Sequence, residues 1–502
     1  MVKSNRINLI TNLISMLLSL LINFIVTPII TNSLGVGVYS YVSIITNIIS
    51  FFIVLTYTLN SMIGRFYSIS YNKGQVINSN KYISSALYTC LLFSIILMPI
   101  IILVTVNLDK IIVIEKHLVD DVKMAFFLTG ISFLLGTVSA VASTGAYAKN
   151  RLELSNYINI FSNVIRLILV ILLFQIFTPK IWYIGITTIV YNSLTIVLGF
   201  FVFKKLIPKV QFSYKYFDKN YSKELLVAGM FNSVILLGTN LMTQIDLLVG
   251  NRYINSELLG KYAIVLLFAN TIRSLSSALS SAFSPTTFKI YGTGNREEMV
   301  KHSNSVVNFC GLALGLPISI ISVVGIDLLS LWLKEDFSRF YLLIILMMLP
   351  LVPILSVSQL NVVNQAVNKL KVPALMSIIS GILNLLLAIF LAQKIGVWGL
   401  AIASVIASTF RNVVFMPIYT AYITKQKLYA YYGGILKPFL ISSIICIFGL
   451  VIKTLITVNT FKGIIVLSIL LTFMYIVLLF GIASRENKIM VINFIRKKFI
   501  IR

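Results

Sequence analysis

With 502 residues, 58% hydrophobic and only 11% charged, and a mean hydropathy of +0.96, the chain carries far more apolar surface than a soluble core can bury. Its formal net charge of +26 would point to nucleic acid in a soluble protein. Here the bases gather in short connections between apolar runs, as in polytopic membrane proteins, so a phospholipid bilayer is the expected partner and nucleic acid is not.

Apolar runs separated by polar punctuation predict an all-α polytopic membrane protein of about fourteen transmembrane helices, each of ~20 residues. The runs begin near Ile7, Val38, Tyr82, Val122, Ser155, Ile181, Lys223, Leu258, Ser303, Ser338, Pro373, Val397, Gly433 and Phe461. Lys3 and Arg6 precede the first run with no small-residue cleavage site after it, which reads as a retained first helix. Cys90, Cys310 and Cys446 lie far apart inside apolar runs, without metal spacing.

Charge asymmetry sets the expected orientation. With an even number of spans, the termini and the even-numbered loops share a side that collects Arg65, Lys81, Lys149, Arg151, Lys204, Lys205, Lys209, Lys289, Lys369, Lys371, Lys425 and the tail Arg485 to Arg502. The opposite loops mix fewer bases with Asp109, Glu115, Asp120, Asp327, Glu335 and Asp336. Both termini are therefore expected in the cytoplasm, and Trp182, Trp332 and Trp398 at the outer boundary.

An internal repeat divides the chain. Asn32 to Phe52 resembles Ile254 to Leu275, pairing Gly37 with Gly260 and Tyr39 with Tyr262; Gly64 to Gly74 likewise resembles Phe288 to Glu297. The predicted layout is an N-lobe of helices 1–6 (1–205), a cytoplasmic interlobe loop (206–221), a C-lobe of helices 7–12 (222–424), and helices 13–14 with a basic tail (425–502). Two lobes of six helices have the same orientation, so their pseudo-two-fold axis should run along the membrane normal. Lysines and aromatics in the interlobe loop suit a segment resting on anionic headgroups, or an ordinary solvated linker.

Three arginines fall near mid-membrane: Arg166, Arg273 and Arg411. An arginine at the centre of an isolated membrane helix costs roughly 2.5–3.5 kcal/mol on insertion scales, so each must face protein, water or a ligand. Each belongs to a polar stripe at helical spacing: Asn156, Asn159, Asn163 and Arg166 on the fifth span; Asn270, Arg273, Ser274, Ser277 and Ser281 on the eighth; Ser404, Ser408, Arg411 and Asn412 on the twelfth. Asn8, Asn12, Ser15, Ser19 and Asn23 form another on the first. Such stripes should face a hydrated cavity or another helix. Guanidinium forks with amides and hydroxyls would bind a diphosphate and its sugars; interhelical ion pairs or bonds to backbone carbonyls are the rival reading. Arg65, at an inner helix end, could meet lipid phosphates or serve as a positive-inside anchor. Asp246 reads as the one acid within a span, either a coupling-cation site or the partner of Arg252 or a neighbouring helix. Pro350 and Pro353 should kink the tenth span, which also carries the amides Gln359, Asn361, Asn364, Gln365 and Asn368. His117 and His302 both fall in predicted loops, and no Gly-rich phosphate loop precedes a Lys-Ser/Thr pair, so transport without catalysis, cofactor or metal is expected.

TPIITNSLGVGVYSYV near the start, the stretch from Ile245 to Met299, and Leu383 to Ser408 together resemble polysaccharide-repeat-unit transporters, the Wzx-type flippases of the MATE-like MOP exporter superfamily. The resemblance implies two six-helix lobes around a central cavity with alternating access, and export of undecaprenyl-diphosphate-linked oligosaccharides across the bacterial cytoplasmic membrane. It also implies a monomer that works beside polysaccharide polymerase and assembly proteins. In the related lipid II flippases arginines on helices 1, 2 and 8 line the cavity. Arg273 matches the last of these, but helix 1 here has no central arginine, which argues against lipid II. An anion moving outward across an inside-negative membrane gains about 2.3 kcal/mol per charge per 100 mV. A drug or cation antiporter on the same architecture would need carboxylates instead, and a membrane-embedded glycosyltransferase would need catalytic acids or bases on large loops.

Overall fold

The computed structural model describes residues 2–292, 296–455, 458 and 460–482, and among these the chain is helical throughout its regular structure, with no strand. The basic tail from Arg485 to Arg502, and residues 293–295 inside the second repeated segment, lie outside the described residues.

Among the described residues, fourteen helical stretches are long and apolar enough to span a membrane. The first seven are Ile10–Leu34, Val36–Asn72, Val76–Val106, Lys116–Ala148, Leu152–Ile176, Tyr183–Leu206 and Lys219–Tyr253. The second seven are Ser256–Gly292, Glu297–Leu333, Ser338–Ala366, Lys371–Ile395, Val397–Ile423, Tyr432–Leu455 and Phe461–Gly481. They follow the apolar runs closely. The largest departures, Val76 against Tyr82, Lys116 against Val122 and Glu297 against Ser303, arise because a helix continues into polar residues once its ends are solvated or packed. For the same reason His302, expected in a loop, is helical, and so is Asp327, which makes Asp246 no longer the one acid within a span. Ile95, Phe201, Leu386 and Phe473 are each more than half exposed, a cost in water that disappears against lipid tails.

The chain divides into two compact units. The first comprises Met1–Ala263 and Ser377–Leu385, thus spans one to seven, the opening turns of span eight and a central piece of span eleven. Here the polar stripes of spans one and five zip together. Asn156 Nδ2 donates to Thr11 Oγ1 at 3.0 Å, Asn163 Nδ2 donates to Ser19 Oγ at 3.3 Å, and Asn8 Oδ1 accepts from the Glu153 backbone N–H at 2.9 Å. Burying amides among hydrocarbon is tolerable when each finds a partner on the facing helix.

Close backbone approach is the second device of this unit. A Cβ on Gly229 would stand 1.9 Å from the Thr58 carbonyl oxygen, and one on Gly260 would stand 2.0 Å from that of Val36. The repeat partner of Gly260, Gly37, packs against Ser256 in turn. The glycines matched in sequence therefore seat the starts of spans two and eight against each other.

The sixth connection is pinned rather than loose. Ser84 Oγ donates to the Gln211 carbonyl at 3.1 Å, Asn80 Oδ1 accepts from the Gln211 N–H at 3.2 Å, and Ser85 Oγ accepts from the Asp218 N–H at 2.9 Å. Asp218 caps the following helix by accepting from the Asn220 N–H, which, with Lys81 at 3.2 Å, holds its carboxyl below the usual carboxylate range.

The second unit comprises Ile264–Met376 and Leu386–Arg502. Span nine is its central post, with spans thirteen and fourteen packed along it. Tyr475 Oη donates to the Leu312 carbonyl at 2.8 Å, and Ser319 Oγ donates to that of Ser442 at 3.2 Å. Lys453 of span thirteen pairs with Asp327 of span nine and lies 3.8 Å over the Tyr341 ring of span ten, clamping three helices together. Span ten breaks into Tyr341–Met348, Leu351–Ser356 and Ser358–Ala366, with both breaks close to its prolines, as Pro350 and Pro353 led us to expect.

Gly260→Ala is expected to destabilise the protein by about 1–3 kcal/mol, because the added methyl meets backbone that cannot step aside. Gly481→Ala, with nothing within 4 Å, should change stability little. Thermal unfolding of the two variants in the same detergent checks the contrast.

Candidate functional site

Arg166 is carried by the helix Leu152–Ile176. The side chain is half-buried, and its Nε is enclosed with no hydrogen-bond partner. Tyr191 of span six is its electrostatic neighbour, and that phenol lies 3.5 Å from Asn159 Oδ1 of the same polar stripe. Among the described residues no carboxylate pairs with Arg166.

Arg411 is buried at 6% exposure. It sits in a π-helical turn, Phe410–Phe415, between the α-helical segments Val397–Thr409 and Met416–Ile423 of span twelve. Its Nη1 donates to Asn412 Oδ1 at 3.2 Å, Asn412 in turn donates to the Ser408 carbonyl at 3.0 Å, and Nε again has no partner. It too lacks a carboxylate partner among the described residues. Among the described residues, both arginines thus have neutral neighbours in place of a counter-charge.

Span eight carries a second row of serines, Ser276 and Ser280, beside the expected stripe. Ser276 and Ser280 are buried within hydrogen-bonding distance of Ser358 on span ten, whereas Asn270, Ser277 and Ser281 are exposed. Arg273 is half-buried, and its carbonyl accepts from Ser277 Oγ at 3.1 Å. Arg65 is exposed in the final third of the helix Val36–Asn72. Asn163, by contrast, is committed to its bonds with Ser19 and the Asn159 carbonyl. Arg65, Asn163, Arg166 and Asp246 belong to the first unit; Asn270, Arg273 and Arg411 belong to the second.

Span seven breaks at Gln244, and Asp246 begins the helix Ile245–Tyr253 just beyond the break, where the helix N-terminus favours a negative charge. It is only 1% exposed. Asn384 Nδ2 donates to Asp246 Oδ1 at 3.0 Å and also to the Leu241 carbonyl at 3.0 Å; Tyr262 Oη donates to Oδ2 at 3.3 Å. Arg252, one of the partners expected from sequence, is exposed. Asn384 Oδ1 is enclosed and unpartnered.

Sequence reasoning overlooked Asn384, Tyr191 and the π turn. Asn384 carried a readable signal, a single amide in the apolar run ILNLLLAIFLA. Tyr191 and the π turn carried none, because aromatic residues are common in apolar helices and a π turn leaves no motif.

These helices, with embedded cations and one buried acid at a helix break, define a polytopic membrane protein. No protein-family model matches the chain. Over 94% of its length it matches the lipid II flippase MurJ in an inward closed conformation, covering 98% of that chain with a TM-score of 0.66 at 16% identity. It likewise matches an inward-facing multidrug-resistance MATE family transporter of the MOP superfamily, with a TM-score of 0.68 at 12% identity, over 83% of this chain and 99% of that one. In sequence it is 30% identical over 471 residues to the uncharacterized membrane protein EpsK of Bacillus subtilis (strain 168), spanning 93% of both chains. The chain belongs to the family of EpsK, and its fold is that of the MOP superfamily, in line with the resemblance read from the sequence.

Because an unpaired buried cation is a standing cost, Arg411→Met should leave the empty protein more stable, by about 1–4 kcal/mol, the range seen when buried charges give way to apolar side chains of similar size. A rise in melting temperature of the purified variant checks this; a fall would mean that Arg411 serves packing.

Proposed function

We propose that the protein is a flippase that carries undecaprenyl-diphosphate-linked oligosaccharide repeat units across the bacterial cytoplasmic membrane by alternating access, for the assembly of a surface polysaccharide. The observation that carries this reading is the pair of membrane-embedded arginines, Arg166 and Arg411, with unpartnered Nε atoms and no carboxylate among the described residues. Surplus positive charge and rigid donor forks favour a diphosphate and disfavour a cationic drug. Arg273 and Asn270 on span eight join them as substrate ligands, while Arg65 and Asn163 serve headgroup capture and the placement of span five.

In this reading the working halves are the repeats 1–205 and 222–424, joined by the 206–221 connection, with both termini in the cytoplasm and 425–502 as an accessory pair of helices with a basic tail. The protein acts as a monomer, beside a polysaccharide polymerase and assembly proteins. The exit of a diphosphate along the membrane field supplies about 2.3 kcal/mol per charge per 100 mV, so the chain needs no nucleotide.

Asp246 is the residue we assign to a coupling cation, with the Asn384 amide oxygen as a second ligand. The competing antiporter reading has this same group in its favour, a buried acid in a break of span seven.

Vesicles reconstituted with the purified protein separate the possibilities by which species crosses or changes: lipid-linked sugar, a cationic dye, or glycan length. Arg166→Ala, Arg411→Ala and Arg273→Ala are each expected to cut translocation of lipid-linked sugar at least tenfold with normal insertion, since a charge-assisted bond is worth about 1.5–3 kcal/mol. Full translocation by all three would remove the basis of the reading. Asp246→Asn is expected to abolish the response of transport to an imposed sodium or proton gradient; a response equal to that of the unaltered protein would return Asp246 to a purely structural role.

A further inference from the structure

A single π turn inside an α-helix accommodates an extra residue, which displaces the hydrogen-bonding register and rotates the next helical segment by about 100° relative to an unbroken helix. Span twelve contains such a turn at Phe410–Phe415, and Arg411 is its second residue. Some carbonyls near a π turn are left poorly served by their own helix and need donors from elsewhere. Tyr432 supplies one: its hydroxyl lies 3.0 Å from the Val413 carbonyl oxygen and 3.4 Å from that of Val414, so its one proton is shared between them.

Tyr432 is well placed for this task. It is the first residue of the helix Tyr432–Leu455, and its neighbours Tyr431 and Ile435 are buried in a cluster with Val307, Leu360 and Ala421. The phenol is therefore anchored by span thirteen and by packing against spans nine and ten and the end of span twelve beyond the π turn. On the other side of the π turn, Asn412 ties Arg411 to the Ser408 carbonyl. The arginine is held from its own helix by Asn412, and the backbone that carries it is held from outside by Tyr432.

We infer that Tyr432 is a positioning residue for anion binding: its hydroxyl holds the π turn at Val413 and Val414 in the register that presents the Arg411 guanidinium to a diphosphate. The inference rests on the reading of Arg411 as an anion ligand. It gives the thirteenth helix, outside the twelve of the repeats, a part in setting affinity for the phosphate end of the substrate.

The test uses the full chain in nanodiscs of phosphatidylcholine, titrated calorimetrically with inorganic diphosphate, with the melting temperature of the unliganded protein measured alongside. Arg411→Ala should weaken binding at least tenfold. Tyr432→Phe, which keeps the ring and removes only the hydroxyl, should weaken it about two- to tenfold, the worth of one hydrogen bond, with the melting temperature unchanged. Affinity that does not fall in Tyr432→Phe, or falls only together with the melting temperature, overturns the positioning role while leaving Arg411 as a ligand. Equal affinity in Arg411→Ala and the unaltered protein, or no binding by the unaltered protein, overturns the underlying reading instead.

Discussion

A positive charge inside an apolar slab must find an opposite charge, water or a ligand, because hydrocarbon solvates it so poorly. Embedded charges in this chain meet that demand in different ways. Lys453 has Asp327, and Asp246 has the amide of Asn384 and the phenol of Tyr262. Arg166 and Arg411 have only neutral company among the described residues. A charge held at this expense is what the proposed diphosphate ligand would relieve.

The rest of the architecture makes that expense bearable. Amide and hydroxyl pairs join spans one and five, and Ser276 and Ser280 tie span eight to span ten, adding cohesion where lipid offers no hydrophobic drive between helices. Glycines that let backbones touch do the same work at spans two, seven and eight. The stripes thus serve two purposes. Residues that meet a facing helix, such as Asn156 and Asn163, are mortar, and the arginines at or beyond the ends of those contacts are the exceptions.

Much of this was legible in the sequence because the bilayer simplifies the code. A run of apolar residues of the right length has few alternatives, so all fourteen spans and the kink of span ten could be read from hydropathy and proline alone. Individual partners were less legible. Whether Asn163 faces span one or water depends on helix rotation, which periodicity leaves open, and the contact of Asn384 with Asp246 joins residues 138 apart. The π turn at Arg411 was invisible for a different reason: FRNVVF contains no glycine or proline to announce it, and its geometry depends on tertiary donors such as Tyr432. His302 and Asp327 were misplaced into loops because hydropathy windows end where apolarity ends, whereas helices continue for as long as their backbone is satisfied.

The clamp formed by Lys453, Asp327 and Tyr341 bears on how the chain is made. The acid leaves the ribosome 126 residues ahead of the amine that neutralises it. During that interval the Asp327 carboxylate lacks the ammonium that pairs with it in the finished fold. Nascent chains cut short before Lys453 would be marked by an unsatisfied charge, a built-in distinction between finished and unfinished molecules during biogenesis.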